Sequence, residues 1–88
     1  MHYVYILYSK NHDSFYIGET ATPAQRLAQH NSGKVISTKK YMPWAMVWLG
    51  EKVNRTEALR LEKKLKNLRN RKKLIDFIKK YGDWQNDN

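Results

Sequence analysis

The hydrophobic and polar positions of this chain begin with a period of two and end with a period near 3.6. From His2 to Tyr8, Val4, Ile6 and Tyr8 alternate with Tyr3, Tyr5 and Leu7, so both faces are apolar and the segment reads as a central strand. Polar Lys10-Asn11-His12-Asp13-Ser14 interrupts it, strand character resumes at Phe15-Tyr16-Ile17-Gly18, and the two runs read as a β-hairpin. A turn centred between Lys10 and Asn11 puts Tyr5 opposite Tyr16, with both phenols on one face. Thr22-Pro23-Ala24-Gln25 then offers a threonine cap, proline at the first helical position and a capping-box glutamine, while Asn31-Ser32-Gly33 supplies a stop. Arg26 and His30 fall one turn apart on that helix.

Lys34 to Met42 reads as an exposed basic loop with Tyr41 near its end, and Trp44 to Leu49 as a third strand closed by Gly50. Asn54-Arg55-Thr56-Glu57 is a second capping arrangement, opening a helix whose Ala58, Leu61, Leu65 and Leu68 recur at helical spacing. Glu62 falls at the margin of that apolar stripe. Asn70 caps a last helix carrying Leu74, Ile75, Phe77, Ile78 and Tyr81. The expected fold is α+β: a small three-stranded antiparallel sheet flanked by about three helices, one domain over 1–82, with a polar tail that frays over 83–88 and has Trp84 as its only anchor.

Charge narrows the partners. Seventeen Lys and Arg against eight Asp and Glu leave +9, a field that attracts polyanions. The excess is concentrated in the C-terminal half: twelve Lys or Arg lie between Lys52 and Lys80, against Glu57, Glu62 and Asp76. Nucleic acid, DNA or RNA, is the expected partner, with a protein partner as one source of specificity; the oligomeric state is not legible. The absence of cysteine excludes disulfides, thiol catalysis and cysteine-ligated zinc. His2, His12 and His30 lack a metal-site spacing. The apolar N-terminus is too short and has the wrong flanks for a signal peptide, and no run approaches membrane-spanning length, so a cytoplasmic, membrane-free protein is expected.

Cleavage of a phosphodiester needs a proton acceptor, a cation on the phosphate and a metal ligand. Tyr5, Tyr16, Arg26, His30 and Glu62 could supply all three. The order Tyr3-Val4-Tyr5, Tyr16-Ile17-Gly18, Arg26 to Gly33, Pro43-Trp44 and Glu57 to Glu62 resembles the GIY-YIG nuclease superfamily, and within it the short stand-alone bacterial members related to the nuclease module of the excision-repair subunit. The resemblance runs from about Tyr3 to Leu68. It implies a DNA endonuclease using one divalent metal ion, Mg²⁺ or Mn²⁺. Tyr5 and Tyr16 match the tyrosines of the two name-giving motifs, Gly18 the glycine closing the second, Arg26 the catalytic arginine and Glu62 the metal-binding glutamate. His30 matches a histidine that recurs near the site in parts of the family. Tyr3 stands where the first motif usually has glycine, and the late asparagine of larger members has no assigned counterpart, Asn67 and Asn70 being the nearby candidates.

A phenol with a pKa near 10 is a poor base unless a cation or metal helps it. On this reading Tyr5 takes the proton of the attacking water, Tyr16 orients that water, Arg26 neutralises charge on phosphorus and Glu62 holds the metal. Lys34, Lys39, Lys40, Tyr41, Lys63 and Lys66 would track the nucleic-acid backbone with low sequence specificity, leaving selectivity to DNA shape in repair or recombination. Plainer roles stay open: cross-strand packing for the tyrosines, a solvated arginine, a helix-end cap for His30 and an ion pair with Lys66 for Glu62. So do a noncatalytic nucleic-acid clamp and an adaptor for an acidic protein. Glu19 and Glu51 are minor candidates for the site.

Overall fold

The computed structural model describes residues 1–68 and 70–82. Strands β1 (His2–Ser9), β2 (Ser14–Thr20) and β3 (Ala45–Lys52) form an antiparallel sheet in the order β2-β1-β3. The strand that is apolar on both faces is therefore the central one, and Val4 to Tyr8 are all buried. Helix α1 (Pro23–Asn31) and the loop after it cover one face, where Tyr5, Leu7 and Trp44 pack with Tyr16, Leu27 and Met46. Helices α2 (Arg55–Lys66) and α3 (Arg71–Tyr81) cover the other, where Val4, Ile6 and Tyr8 meet Val47, Ala58, Leu65, Leu74 and Ile78. The result is three layers around one sheet. The expected tail at 83–88, with Trp84, lies outside the described residues.

The hairpin register differs from the sequence expectation. Ser9 pairs with Ser14, the loop is Lys10 to Asp13, and Tyr5 stands opposite Gly18 while Tyr16 stands opposite Leu7. The turn centre moves one residue because Asp13 adopts φ 51° and closes a four-residue loop. Its carboxylate accepts a 2.7 Å bond from the Tyr8 hydroxyl and pairs with Arg71, whose guanidinium also donates to the Asp13 carbonyl and lies over the Phe15 ring. The start of α3 is thereby tied to the hairpin tip. Tyr5 and Tyr16 become diagonal neighbours on the same face, their ring centroids 6.2 Å apart.

Two helix starts behave as read. Asn54 Oδ1 accepts from the Glu57 amide at 2.9 Å, and Asn70 Oδ1 accepts from Lys72 and Lys73. Thr22 does not: it stands at the N-cap but makes no side-chain cap bond, and its amide donates to Thr20 Oγ1 at 3.0 Å. Pro23 alone marks that start. Gly50, expected to end β3, lies inside it opposite Val4, where the Trp48 ring covers the space a Cβ would fill. Between α1 and β3 the basic loop folds into a single 3₁₀ turn, Lys39–Tyr41, followed by a cis Met42–Pro43 peptide. Tyr81 is largely exposed at the end of α3, its ring tilted against that of Phe77 at 5.1 Å between centroids rather than entering the core.

Candidate active site

Four of the side chains that the sequence singles out meet on the α1 face of the sheet. Tyr5 rises from the middle of β1 and Tyr16 from β2, and α1 lays Arg26 and His30 against them from positions one turn apart. Gly18 makes room. A Cβ there would stand 2.5 Å from the Tyr5 hydroxyl and 2.7 Å from its Cζ, so the Tyr5 ring can lie across β2 only because residue 18 has no side chain.

His30 is the hub. It is 0% exposed, with Nε2 3.1 Å from the Tyr5 hydroxyl, Nδ1 2.8 Å from Thr38 Oγ1 and its ring 4.9 Å from that of Tyr16. Burial, reinforced by the charge of Arg26, pushes its pKa below the ordinary 6.5, so the ring is neutral at pH 7. A helix-end cap acting through a positive charge therefore does not describe it.

Arg26 lies half-buried with its guanidinium in reach of both phenol hydroxyls, which hold it more firmly protonated, Tyr5 foremost. Its Nη1 also donates to Gln29 Oε1 at 3.0 Å. Tyr5 is 1% exposed, and desolvation lifts its pKa above 10.0; the hydrogen bond and charge of Arg26 oppose that rise, while Tyr16 and, least of all, Glu62 add to it. Tyr16 is half-buried and meets solvent.

Glu62 belongs to the other layer, on α2, close enough for its charge to be felt at Tyr5. Its carboxylate is 18% exposed and one oxygen, Oε2, pairs with Lys66 Nζ at 3.4 Å, as the ion-pair alternative has it. Among the described residues no group of three or more His, Asp or Glu side chains gathers as a metal site. A single carboxylate still suits a hard cation such as Mg²⁺, which keeps most of its water shell and is commonly bound through one or two carboxylates plus substrate phosphate. Glu19 takes no part: it lies on the sheet's other face, 3.2 Å from His2 Nε2 and 3.5 Å from Arg55 Nε. Glu51 is exposed on β3.

Lys34, Lys39, Lys40, Lys63 and Lys66 all point into solvent. Tyr41 is half-buried, with Lys40 Nζ 5.4 Å above its ring and His12 edge-on to it at 5.3 Å. Ser9 donates to the Tyr41 carbonyl at 2.6 Å, fixing the end of the basic loop to β1.

The sequence matches the GIY-YIG catalytic domain over residues 1–75. The chain belongs to the GIY-YIG family. It is 36% identical to a UPF0213 protein of Enterococcus faecalis over 83 residues, covering 91% of this chain and 92% of that one, and 36% identical to one of Staphylococcus haemolyticus over 74 residues, covering 83% and 89%. The solution structure of a UPF0213 protein from Bacillus halodurans superposes with a TM-score of 0.60 at 34% identity, over 92% of this chain and 85% of that one. The structure-specific endonuclease subunit slx1 of Pyrenophora tritici-repentis is 47% identical over 47 residues, 48% of this chain; the match spans only 13% of that protein's length. The fold and catalytic domain are thus those of a GIY-YIG nuclease. No helix among the described residues is long and apolar enough to cross a membrane.

Two GIY-YIG site neighbours escape the sequence reading. Thr38, 2% exposed, is the partner of His30 Nδ1, yet it lies in a loop with no periodicity to mark it. Asn31 appears only as part of a helix stop, but its amide brackets the backbone of Trp44, accepting from the amide at 2.6 Å and donating to the carbonyl at 2.9 Å. That bracket pins the end of α1 to the start of β3.

Proposed function

We propose that the chain is a divalent-metal-dependent DNA endonuclease of low sequence specificity, acting in a cytoplasmic repair or recombination setting on branched or flapped substrates. The observation that carries this reading is the convergence of two phenols, one guanidinium and one neutral imidazole on a single face. Packing alone does not require that set. A water delivered with the phosphate gives its proton to the Tyr5 hydroxyl while Tyr5 passes its own to Nε2 of His30, so the group that finally holds the proton is an imidazole rather than a phenol. Tyr5 is buried with Arg26 beside it, so on this reading Arg26 turns from the phenols onto the phosphate, where its charge offsets the charge growing at phosphorus, and leaves the Tyr5 hydroxyl open to the water. Half-exposed Tyr16 orients the water. Glu62 would hold the Mg²⁺ or Mn²⁺, which supplies charge stabilisation to the leaving oxygen, with Lys66 yielding its oxygen of that carboxylate. The similarity to a structure-specific endonuclease subunit supports recognition of DNA shape, and a protein partner is one way to sharpen it.

The test is incubation with flapped, branched and linear DNA and Mn²⁺, with and without chelator, beside Arg26→Ala and Glu62→Gln. Metal-dependent products that fall by about 10²-fold or more in both variants are expected, on the scale of removing one charge-stabilising group. Full cleavage by Glu62→Gln sinks the metal assignment, and tight binding without products selects a noncatalytic clamp.

A further inference from the structure

Thr38 is held from every side. Its amide donates to the Val35 carbonyl at 3.1 Å, and its carbonyl accepts from the Tyr41 amide and from Trp44 Nε1, each at 3.1 Å. The side chain is buried with two polar neighbours, the Val35 carbonyl at 3.4 Å and Nδ1 of His30 at 2.8 Å. A carbonyl oxygen only accepts, so the single hydroxyl proton of Thr38 has one partner that cannot return the favour. Once the hydroxyl donates to Val35, it can only accept from His30. Nδ1 then carries the ring proton, and the lone pair of Nε2 faces the Tyr5 hydroxyl, 3.1 Å away.

We propose that Thr38 is a positioning residue that fixes the Nδ1–H tautomer of His30, so that Nε2 accepts the Tyr5 proton and the Tyr5 lone pairs are left facing the catalytic side. This rests on the nuclease reading above for its functional meaning, but the tautomer itself does not. The device is the familiar one of a second side chain setting which imidazole nitrogen is basic. Here the second side chain sits in the same loop as Lys39 and Lys40. Without the Thr38 hydroxyl, His30 Nδ1–H would be buried with no acceptor. The ring then protonates Nε2 instead and donates to Tyr5, which reverses the direction in which the Tyr5 proton can move.

The experiment is a long-range proton–nitrogen correlation spectrum of the 88-residue, DNA-free protein, with His30 assigned against a His30→Gln sample, together with steady-state cleavage by Thr38→Val and Thr38→Ser. Wild type and Thr38→Ser are expected to show a protonated Nδ1 and an unprotonated Nε2, and Thr38→Val the reverse. In cleavage, Thr38→Val is expected to lose about tenfold or more in kcat with KM for DNA unchanged, and Thr38→Ser to recover it. A wild-type ring protonated on Nε2 overturns the proposal, as does a folded Thr38→Val that keeps the wild-type pattern or rate. If Thr38→Val does not fold, a Thr38→Ser protein that loses the Nδ1–H pattern overturns it equally. A chain that never cuts DNA but shows the expected nitrogen pattern removes the nuclease reading and leaves the tautomer assignment standing.

Discussion

A phenol becomes a useful proton acceptor near neutrality when its own proton has a place to go, and in the proposed function the buried His30, 3.1 Å from the Tyr5 hydroxyl, would give Tyr5 that place. The arrangement requires His30 to stay neutral, which burial and the nearby Arg26 enforce. That has a sign for stability. The unfolded chain protonates His30 near 6.5 while the folded chain resists, so the unfolded state binds more protons between the two values. The His30 contribution is full above pH 6.5, declines as pH falls below it, and is gone once pH has passed through the lower folded value. Urea midpoints measured from pH 7.5 down to pH 5 should therefore fall in wild type, and fall less in His30→Gln; parallel curves would refute the assignment. Gly18 sets a second constraint at this scale. Gly18→Ala drives a Cβ into the buried Tyr5 ring and should cost about 1–3 kcal/mol, the range for overpacking a filled core. Displacing the Tyr5 hydroxyl from His30 should lower cleavage further than the folded fraction falls, which is checked by comparing kcat with a denaturation midpoint on the same sample.

At the scale of elements, local chemistry was readable and geometry set by distant contacts was not. Alternation marked β1 as central because a strand covered on both faces must be apolar on both. Asn54 and Asn70 announced α2 and α3 because a cap acts within four residues of its own position. The hairpin register slipped because Lys10 to Ser14 admits more than one turn, and the choice is secured by Tyr8 and by Arg71, fifty-eight residues from Asp13. Arg26 and His30 could be placed on one face from spacing alone. Thr38 could not be joined to them, since the loop between α1 and β3 follows no period. Thr22 shows the same limit from the other side: its sequence has the form of a cap, and its side chain does not act as one. Asn54→Ala and Asn70→Ala should each cost about 0.5–2 kcal/mol. Thr22→Ala should stay within about 0.5 kcal/mol, as for a surface change that removes no cap. Chemical denaturation of the three variants checks the contrast, and an equal loss at Thr22 would count against the observed geometry.

For the molecule as a whole, the lysines of the +9 charge are not confined to the face that carries Tyr5, Tyr16, Arg26 and His30. Lys63 and Lys66 lie on α2, in the layer opposite α1, while Lys34, Lys39 and Lys40 lie on the loop that follows α1. On the proposed function, a nucleic acid whose phosphate reaches Arg26 would meet one group from each layer, and the two lysine sets would act as separate holds on its backbone. Each phosphate neutralised should contribute about −0.9 to the slope of log affinity against log salt on duplex DNA. Replacing Lys39 and Lys40 together by alanine should therefore make that slope shallower by about 2, and replacing Lys63 and Lys66 should do the same. The two losses should add, because the sets belong to different elements and share no partner. Affinity should fall by the same factor on unrelated sequences, since phosphate contacts position a protein without reading bases. Fluorescence anisotropy at several salt concentrations, with Ca²⁺ in place of Mg²⁺ to prevent cleavage, measures both slopes. A slope left unchanged by either pair would remove that lysine set from the interface. A loss confined to one sequence would replace backbone tracking with base readout.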